Sequence, residues 1–295
     1  MPASLRCRGA AYRGGFSFGI CELTYLERLT ARDCLVIAHR GIWQDAPENS
    51  LAAIEQAIRD GHDVVEIDIR RTRDGVLVLM HDETLLRTSG IALAVDELVK
   101  SDLTHLPLLK RPDLPSTETV PSLGDALSLC RGRILVHLDA KDRSALPDII
   151  ACATDLGMAE QVDIWGDLRS DRDLAWFREM VPPGMTKIAR IWLDASDVHA
   201  QLNRLFALAP PICELRFSSL EQVAMFAPQA RRAGIALMVN TLDTVACAGF
   251  GDGAAMLDPE AVWGRLLDAG VGLIQTDEAA ALQHFLTIRQ TRDKS

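Results

Sequence analysis

The chain has 295 residues, 48% of them hydrophobic, and a formal net charge of −10. That length suits one large α/β domain, since barrels of this class run to roughly 250 residues or more as a single unit. The acidic balance speaks against a nucleic-acid groove or a polybasic surface, and no apolar run nears the roughly 18 residues of a membrane span.

Residues 1–33 are predicted to be an extension or a helix beneath a barrel, with Glu22 to Asp33 the amphipathic part. They lack the apolar core and cleavage site of a secretory signal. The seven cysteines, at 7, 21, 34, 130, 152, 213 and 247, show no zinc spacing. An odd number without pairing signals fits reduced thiols, hence a cytoplasmic protein.

From residue 34 onward strand and helix signals alternate. Strand Cys34 to His39 precedes a helix from about Ser50 to Asp60, with Ser50 as N-cap and Gly61 as stop. Strands near 63–69 and 76–80 follow, joined through the Asp74-Gly75 turn. The link is too short for an ordinary parallel crossover, so the chain returns either in extended form or as a hairpin. Residues 82–120 break the rhythm: they are polar, contain Pro107, Pro112 and Pro115, and show no clear strand. A stretch of that length reads as a functional insertion.

Alternation then resumes, with strands near 133–139, 161–165, 187–192, 212–215, 235–240 and 271–275. Helices are predicted near 145–157, 171–180, 197–208, 219–233, 259–269 and 278–290. Repeated β-α units imply a parallel sheet. Chemistry-bearing residues sit at the ends of strands spread from residue 39 to residue 139, which favours a closed barrel over a sheet with one switch point. The expected architecture is a (β/α)8 TIM barrel over residues 34–295 with a small insertion, 82–120, after the third strand. Nine strand candidates are one too many for it, and either 76–80 or 212–215 is not a stave.

The densest chemistry lies between Val36 and Thr88: His39-Arg40-Gly41, Pro47-Glu48-Asn49-Ser50, Glu66-Ile67-Asp68, Thr72-Arg73-Asp74-Gly75, His81-Asp82 and Arg87-Thr88. This ordered set resembles the glycerophosphodiester phosphodiesterase family of phospholipase C-like TIM barrels. The likeness continues more weakly in Val120 to Leu123, Leu138 to Lys141 and Gly270 to Asp277. It implies a metal-dependent hydrolase of a small soluble phosphodiester, acting through a cyclic phosphate. Alternatives are an opine-type sugar-phosphodiester phosphodiesterase, a lysophospholipase D-like enzyme, or a catalytically silent barrel that only binds.

A phosphodiester resists attack until its oxygens are neutralised and its leaving alkoxide is protonated. His39 and His81, on separate strand ends, suit general base and acid, and Arg40 suits a phosphate oxygen. Glu66 and Asp68 are two apart on a strand and so share a face; carboxylates converging without cysteine suit one Mg²⁺ or Ca²⁺. Asp139 and Lys141 match the family's E-x-K, which implies a third metal ligand with a shorter arm than usual and a phosphate contact.

Glu48 is expected to orient a catalytic histidine or touch the metal, Asn49 and Ser50 to cap a helix, and His137 to be structural. The bland reading of Glu66 and Asp68 is simple pairing with Arg70 and Arg71. In the family a late strand reads W-T-V-N and its aromatic lines the pocket; here Leu237-Met238-Val239-Asn240 has none. Trp43, Trp165 and Trp192 are placed near strand ends, and Trp43 and Trp192 are taken as substrate contacts. The expected partner is a small-molecule diester, with no nucleic acid; a homo-oligomer is left open.

Overall fold

Short β-branched runs with no polar face make buried parallel strands, and here they close on themselves. The computed structural model describes residues 24–110 and 114–292. Its strands are β1 Leu35–Ala38, β2 Val64–Arg71, β3 Leu77–Leu79, β4 Pro107–Lys110, β5 Leu114–Thr119 and β6 Leu135–Ala140, followed by β7 Val162–Asp167, β8 Thr186–Trp192, β9 Ile212–Arg216, β10 Ala236–Asn240 and β11 Leu273–Thr276. All the strands except β3, β4 and β5 pair in parallel in the order β1-β2-β6-β7-β8-β9-β10-β11, and β11 pairs back onto β1. The fold is a closed eight-stranded (β/α)8 barrel.

The surplus candidate is 76–80. β3 runs antiparallel onto the end of β2, with Ile69 opposite Leu79 and Arg71 opposite Leu77, so the short link is a hairpin. Its turn is held by the Thr72 hydroxyl, which donates to Asp74 and accepts from the Val76 N–H. The strand near 212 is a true stave, paired on both sides.

The insertion corrects a second expectation, because it does contain strands. β4 and β5 form an antiparallel pair, and short helices Leu86–Ser89 and Lys100–Leu103 join it around a small core of Val78, Met80, Leu85, Val95, Leu103, Leu108 and Val120. Prolines at 107 and 115 masked the strand signal. A two-stranded ribbon tolerates them because each strand keeps a free edge.

Helices Leu51–Arg59, Leu146–Asp155, Asp171–Met180, Val198–Leu208, Leu220–Arg232 and Ala279–Arg292 lie where their patterns place them. Helix Leu123–Cys130 was not anticipated, although Ser122 caps it and buried Leu123, Ala126, Leu127 and Cys130 fall at helical spacing. The region near 259–269 is also more broken than expected: Asp252–Leu257 is helical, and a π-turn at Glu260–Gly264 leads into Arg265–Asp268.

Beneath the barrel, helix Tyr25–Ala31 closes the floor. Tyr25 is buried against Leu35, Ile37, Val64, Leu135, Ile188, Ile212, Met238 and Leu273, and its hydroxyl donates to Asp163. The floor helix begins at Tyr25, and residues 1–23 of the expected extension lie outside the described residues. Among the described residues Cys34, Cys130, Cys152, Cys213 and Cys247 are buried thiols without disulfides, and no helix is long and apolar enough to cross a membrane.

The loop after β1 turns at Gly41, at φ +81°, where an added Cβ would stand 2.7 Å from the Ala53 carbonyl carbon. Helix backbone cannot yield there, and the Ile42 N–H also bonds the Ala53 oxygen at 3.0 Å. Gly41→Ala should therefore cost about 2–4 kcal/mol of stability, combining left-handed strain with overpacking. Urea unfolding measures it, and an unchanged midpoint would show that this loop does not rest on the helix.

Candidate active site

Strand ends from β1, β2 and β6, together with the residues after β3, meet at the carboxyl-terminal rim. His39 follows β1 directly, and its Nδ1 donates to Asp277 at 2.7 Å. Its Nε2 stands 3.9 Å from a Glu66 oxygen. Arg40 adopts a left-handed backbone, φ 59°, which aims its N–H at Glu66 at 3.0 Å. A non-glycine residue in that region carries strain, and here the strain directs a donor at a buried carboxylate.

Glu66 and Asp68 point into the barrel and are buried. Asp68 accepts from the Asn49 amide at 2.7 Å, while its own N–H donates to the Asn49 oxygen at 3.0 Å. Asn49 is thus a brace for Asp68 and not a cap; Ser50 alone caps the following helix. Arg40 Nε lies 3.0 Å from Asp68, and the Lys141 ammonium sits 2.6 Å from both Asp68 and Asp139. Trp165 donates to the other Asp139 oxygen at 3.2 Å. The bland pairing of the acids with Arg70 and Arg71 does not occur. Arg70 bonds the His81 carbonyl and Arg71 reaches Asp148.

Oxygens of Glu66, Asp68 and Asp139 lie within 4.8 Å of one another. Like charges about 4 Å apart repel by about 4 kcal/mol even at an effective dielectric near 20, so such a trio needs cations. Burial, then the charge of Asp68, pushes the Glu66 carboxyl up to about 7. Burial opposes ionisation of Asp68 too, but Lys141 and Arg40 outweigh it and hold that carboxyl low. A set of hard oxygens with surplus negative charge and no sulfur fits a divalent cation of the Mg²⁺ or Ca²⁺ kind.

The β2-β3 hairpin delivers His81 to the same rim: the Met80 N–H donates to the Asp68 carbonyl at 3.0 Å, one residue before His81. His81 Nδ1 donates to Asp82 at 2.7 Å. Arg87, from the insertion, bonds Asp82 and holds its carboxyl down at about 2. Arg87 also bonds both oxygens of Glu48, which accepts from Arg40 in turn. Among the described residues no histidine bonds Glu48. The histidines are oriented by Asp277 and Asp82, which stand in the sequence motifs without a role of their own. Glu48 instead sets the two arginines.

The tryptophans divide. Trp43 is buried, donates to the His39 carbonyl at 3.1 Å, and lines a cavity of about 230 Å³ with Pro47, Glu48, Arg87, Leu109 and Lys110. Trp192, at the end of β8, lies under the Arg169 guanidinium, 3.5 Å from the ring centroid. Leu237, at the position of the family aromatic, packs outward into the layer between barrel and helices and does not line the mouth. His137 lies below the acidic cluster, where its Nδ1 pairs with Asp163 at 2.7 Å.

Burial lowers the basicity of His39, but the Asp277 hydrogen bond and the Glu66 charge outweigh it and raise its pKa above the ordinary value. This contact therefore adds stability below the ordinary histidine pKa and loses it as the pH rises through the raised one. In Asp277→Asn the His39 titration, followed by NMR in chelator, should move down; an unmoved curve would deny Asp277 its part.

Residues 39–179 match the model of the glycerophosphoryl diester phosphodiesterase family, and residues 188–286 match a domain model of unknown function. Human glycerophosphodiester phosphodiesterase 1 is 43% identical over 122 residues, which cover 39% of this chain and 37% of that protein. A glycerophosphoryl diester phosphodiesterase from Parabacteroides distasonis superposes with a TM-score of 0.71 at 22% identity, over 86% of this chain and 87% of that one. One from Agrobacterium tumefaciens gives 0.63 at 25% identity, over 84% and 98%. Over residues 39–179, which carry the ordered motifs gathered on one barrel rim, the chain is similar to the glycerophosphoryl diester phosphodiesterase family.

Proposed function

We propose that the protein is a metal-dependent phosphodiesterase that hydrolyses a small soluble phosphodiester to a phosphomonoester and an alcohol. One observation carries the reading: three converging carboxylates lie on the rim that also bears two histidines, each fixed through Nδ1 by its own carboxylate. A silent binding barrel has no need of histidines oriented in this way. The whole of residues 34–295 is the catalytic unit, with 82–120 as a rim insertion that contributes Arg87.

Glu66, Asp68 and Asp139 would hold one Mg²⁺ or Ca²⁺, which when bound supplies charge stabilisation at the phosphate. Arg40 and Lys141 add positive charge at the same point and orient the diester. His39 and His81 share the proton work. One takes the proton of a hydroxyl neighbouring the ester as its oxygen attacks phosphorus, and the other protonates the departing alkoxide. Water then opens the cyclic phosphate with the roles reversed. Glu48 keeps Arg40 aimed, and Trp43 steadies the His39 loop. Buried thiols support a cytoplasmic setting.

His39→Ala and His81→Ala should each lower kcat about 10²–10⁴-fold with diester binding kept. Excess chelator should abolish turnover of a chromogenic diester. Full activity in chelator, or a diester with its vicinal hydroxyl blocked being cleaved at the normal rate, would end the metal or the cyclic part of the scheme respectively.

Metal binding should also depend on pH. With the Glu66 carboxyl at about 7, cation affinity measured by calorimetry should rise between about pH 6 and 8 and binding should release a proton. A flat profile would mean that Glu66 is not a ligand.

A further inference from the structure

Across the mouth from the histidines, strands β7 to β10 carry a second polar group. Trp165, Arg190, Glu214 and Asn240 share the inward parity of Asp163, Ile188, Ile212 and Met238 beneath them. Arg190 bonds Asp167 through Nε at 2.8 Å, while its Nη1 lies 3.8 Å from Glu214, beyond a hydrogen bond. Its guanidinium stands 4.6 Å from the Trp165 ring centroid and 5.2 Å from that of Trp192. Glu214 is only 3% exposed and accepts from the Asn240 amide at 3.1 Å. The buried Asn240 Oδ1 has no hydrogen-bond partner. Trp165 links this well to the acidic cluster through Asp139.

We propose that Arg190, Glu214 and Asn240, walled by Trp165 and Trp192, form the subsite for the alcohol that lacks the attacking hydroxyl, and that this alcohol is polyhydroxylated, a polyol or a sugar. The inference rests on the phosphodiesterase reading above. The attacking hydroxyl lies by one histidine and the departing oxygen by the other, and in this assignment the body of the departing alcohol extends across the mouth towards β7 to β10. Only groups that both donate and accept answer this well: hydroxyls donate to Asn240 Oδ1 and Glu214, and accept from Arg190. A quaternary ammonium has no N–H for Asn240 or Glu214, and the Trp192 and Trp165 rings that could cage it already carry Arg169 and Arg190. An acyl chain brings the unpaired acceptor no donor and forgoes the hydrogen bond that a hydroxyl gains there. A second anion faces Asp167 and Glu214, two carboxylates against one arginine.

The test uses the metal-loaded protein and three diesters that share one glycerol: glycerophosphoinositol, glycerophosphoglycerol and glycerophosphocholine. The expected kcat/KM is about tenfold or more higher for the two polyol diesters than for the choline diester. In Arg190→Met and Asn240→Ala that ratio should fall by about tenfold or more. Because the ratio is internal to each preparation, partial misfolding cancels from it. Equal rates on all three diesters, or a ratio unchanged in both variants, overturns the subsite. Failure to cleave any of them, a chromogenic diester included, overturns the phosphodiesterase reading and the subsite with it.

Discussion

Two carboxylates, Glu66 and Asp68, are driven out of water by the barrel that carries them, and most of the rim is arranged to make that burial tolerable. An isolated buried charge costs several kcal/mol or more, so partners must be supplied from every side. The Arg40 backbone, the Asn49 amide, the Arg40 guanidinium and the Lys141 ammonium supply them. Two of these partners demand left-handed backbone, Arg40 at 59° and Asn49 at 57°. The loop between β1 and its helix is thus shaped by the needs of β2.

Support continues outward in shells. Glu48 fixes Arg40 and is itself fixed by Arg87, which also fixes Asp82 and through it His81. Beneath the cluster, His137 leans on Asp163 and Asp163 on Tyr25, so polar contacts run from the acidic layer down to the floor helix. Networks of this kind gain their value by leaving no member unsatisfied.

The barrel and its acidic cluster were legible because both rest on local patterns. Buried strands read as apolar runs, and two acids at a period of two read as one face. What escaped depends on distance along the chain. Asp277 meets His39 across 238 residues, and nothing in the spacing announces that contact. Arg87 meets Glu48 across 39 residues. Leu237 faces the helices because strand register, not its place in a motif, sets its side; its neighbours Met238 and Asn240 face the barrel interior. Helix Leu123–Cys130 was illegible for another reason: at eight residues it is short, and it follows directly on the proline-containing insertion despite its N-cap at Ser122.

The hairpin of β2 and β3 divides the chain into a part whose length is counted and a part whose length is free. His81 reaches the rim because a three-residue strand pairs in one register with the end of β2. Adding a single residue to the Asp74-Gly75 turn would slip that register and send His81 to the opposite face. Beyond Asp82 and Arg87 no such arithmetic applies, since the ribbon and short helices fold around their own core. Relatives can therefore lengthen or replace the outer insertion while the five residues between β2 and β3, 72–76, stay fixed in number.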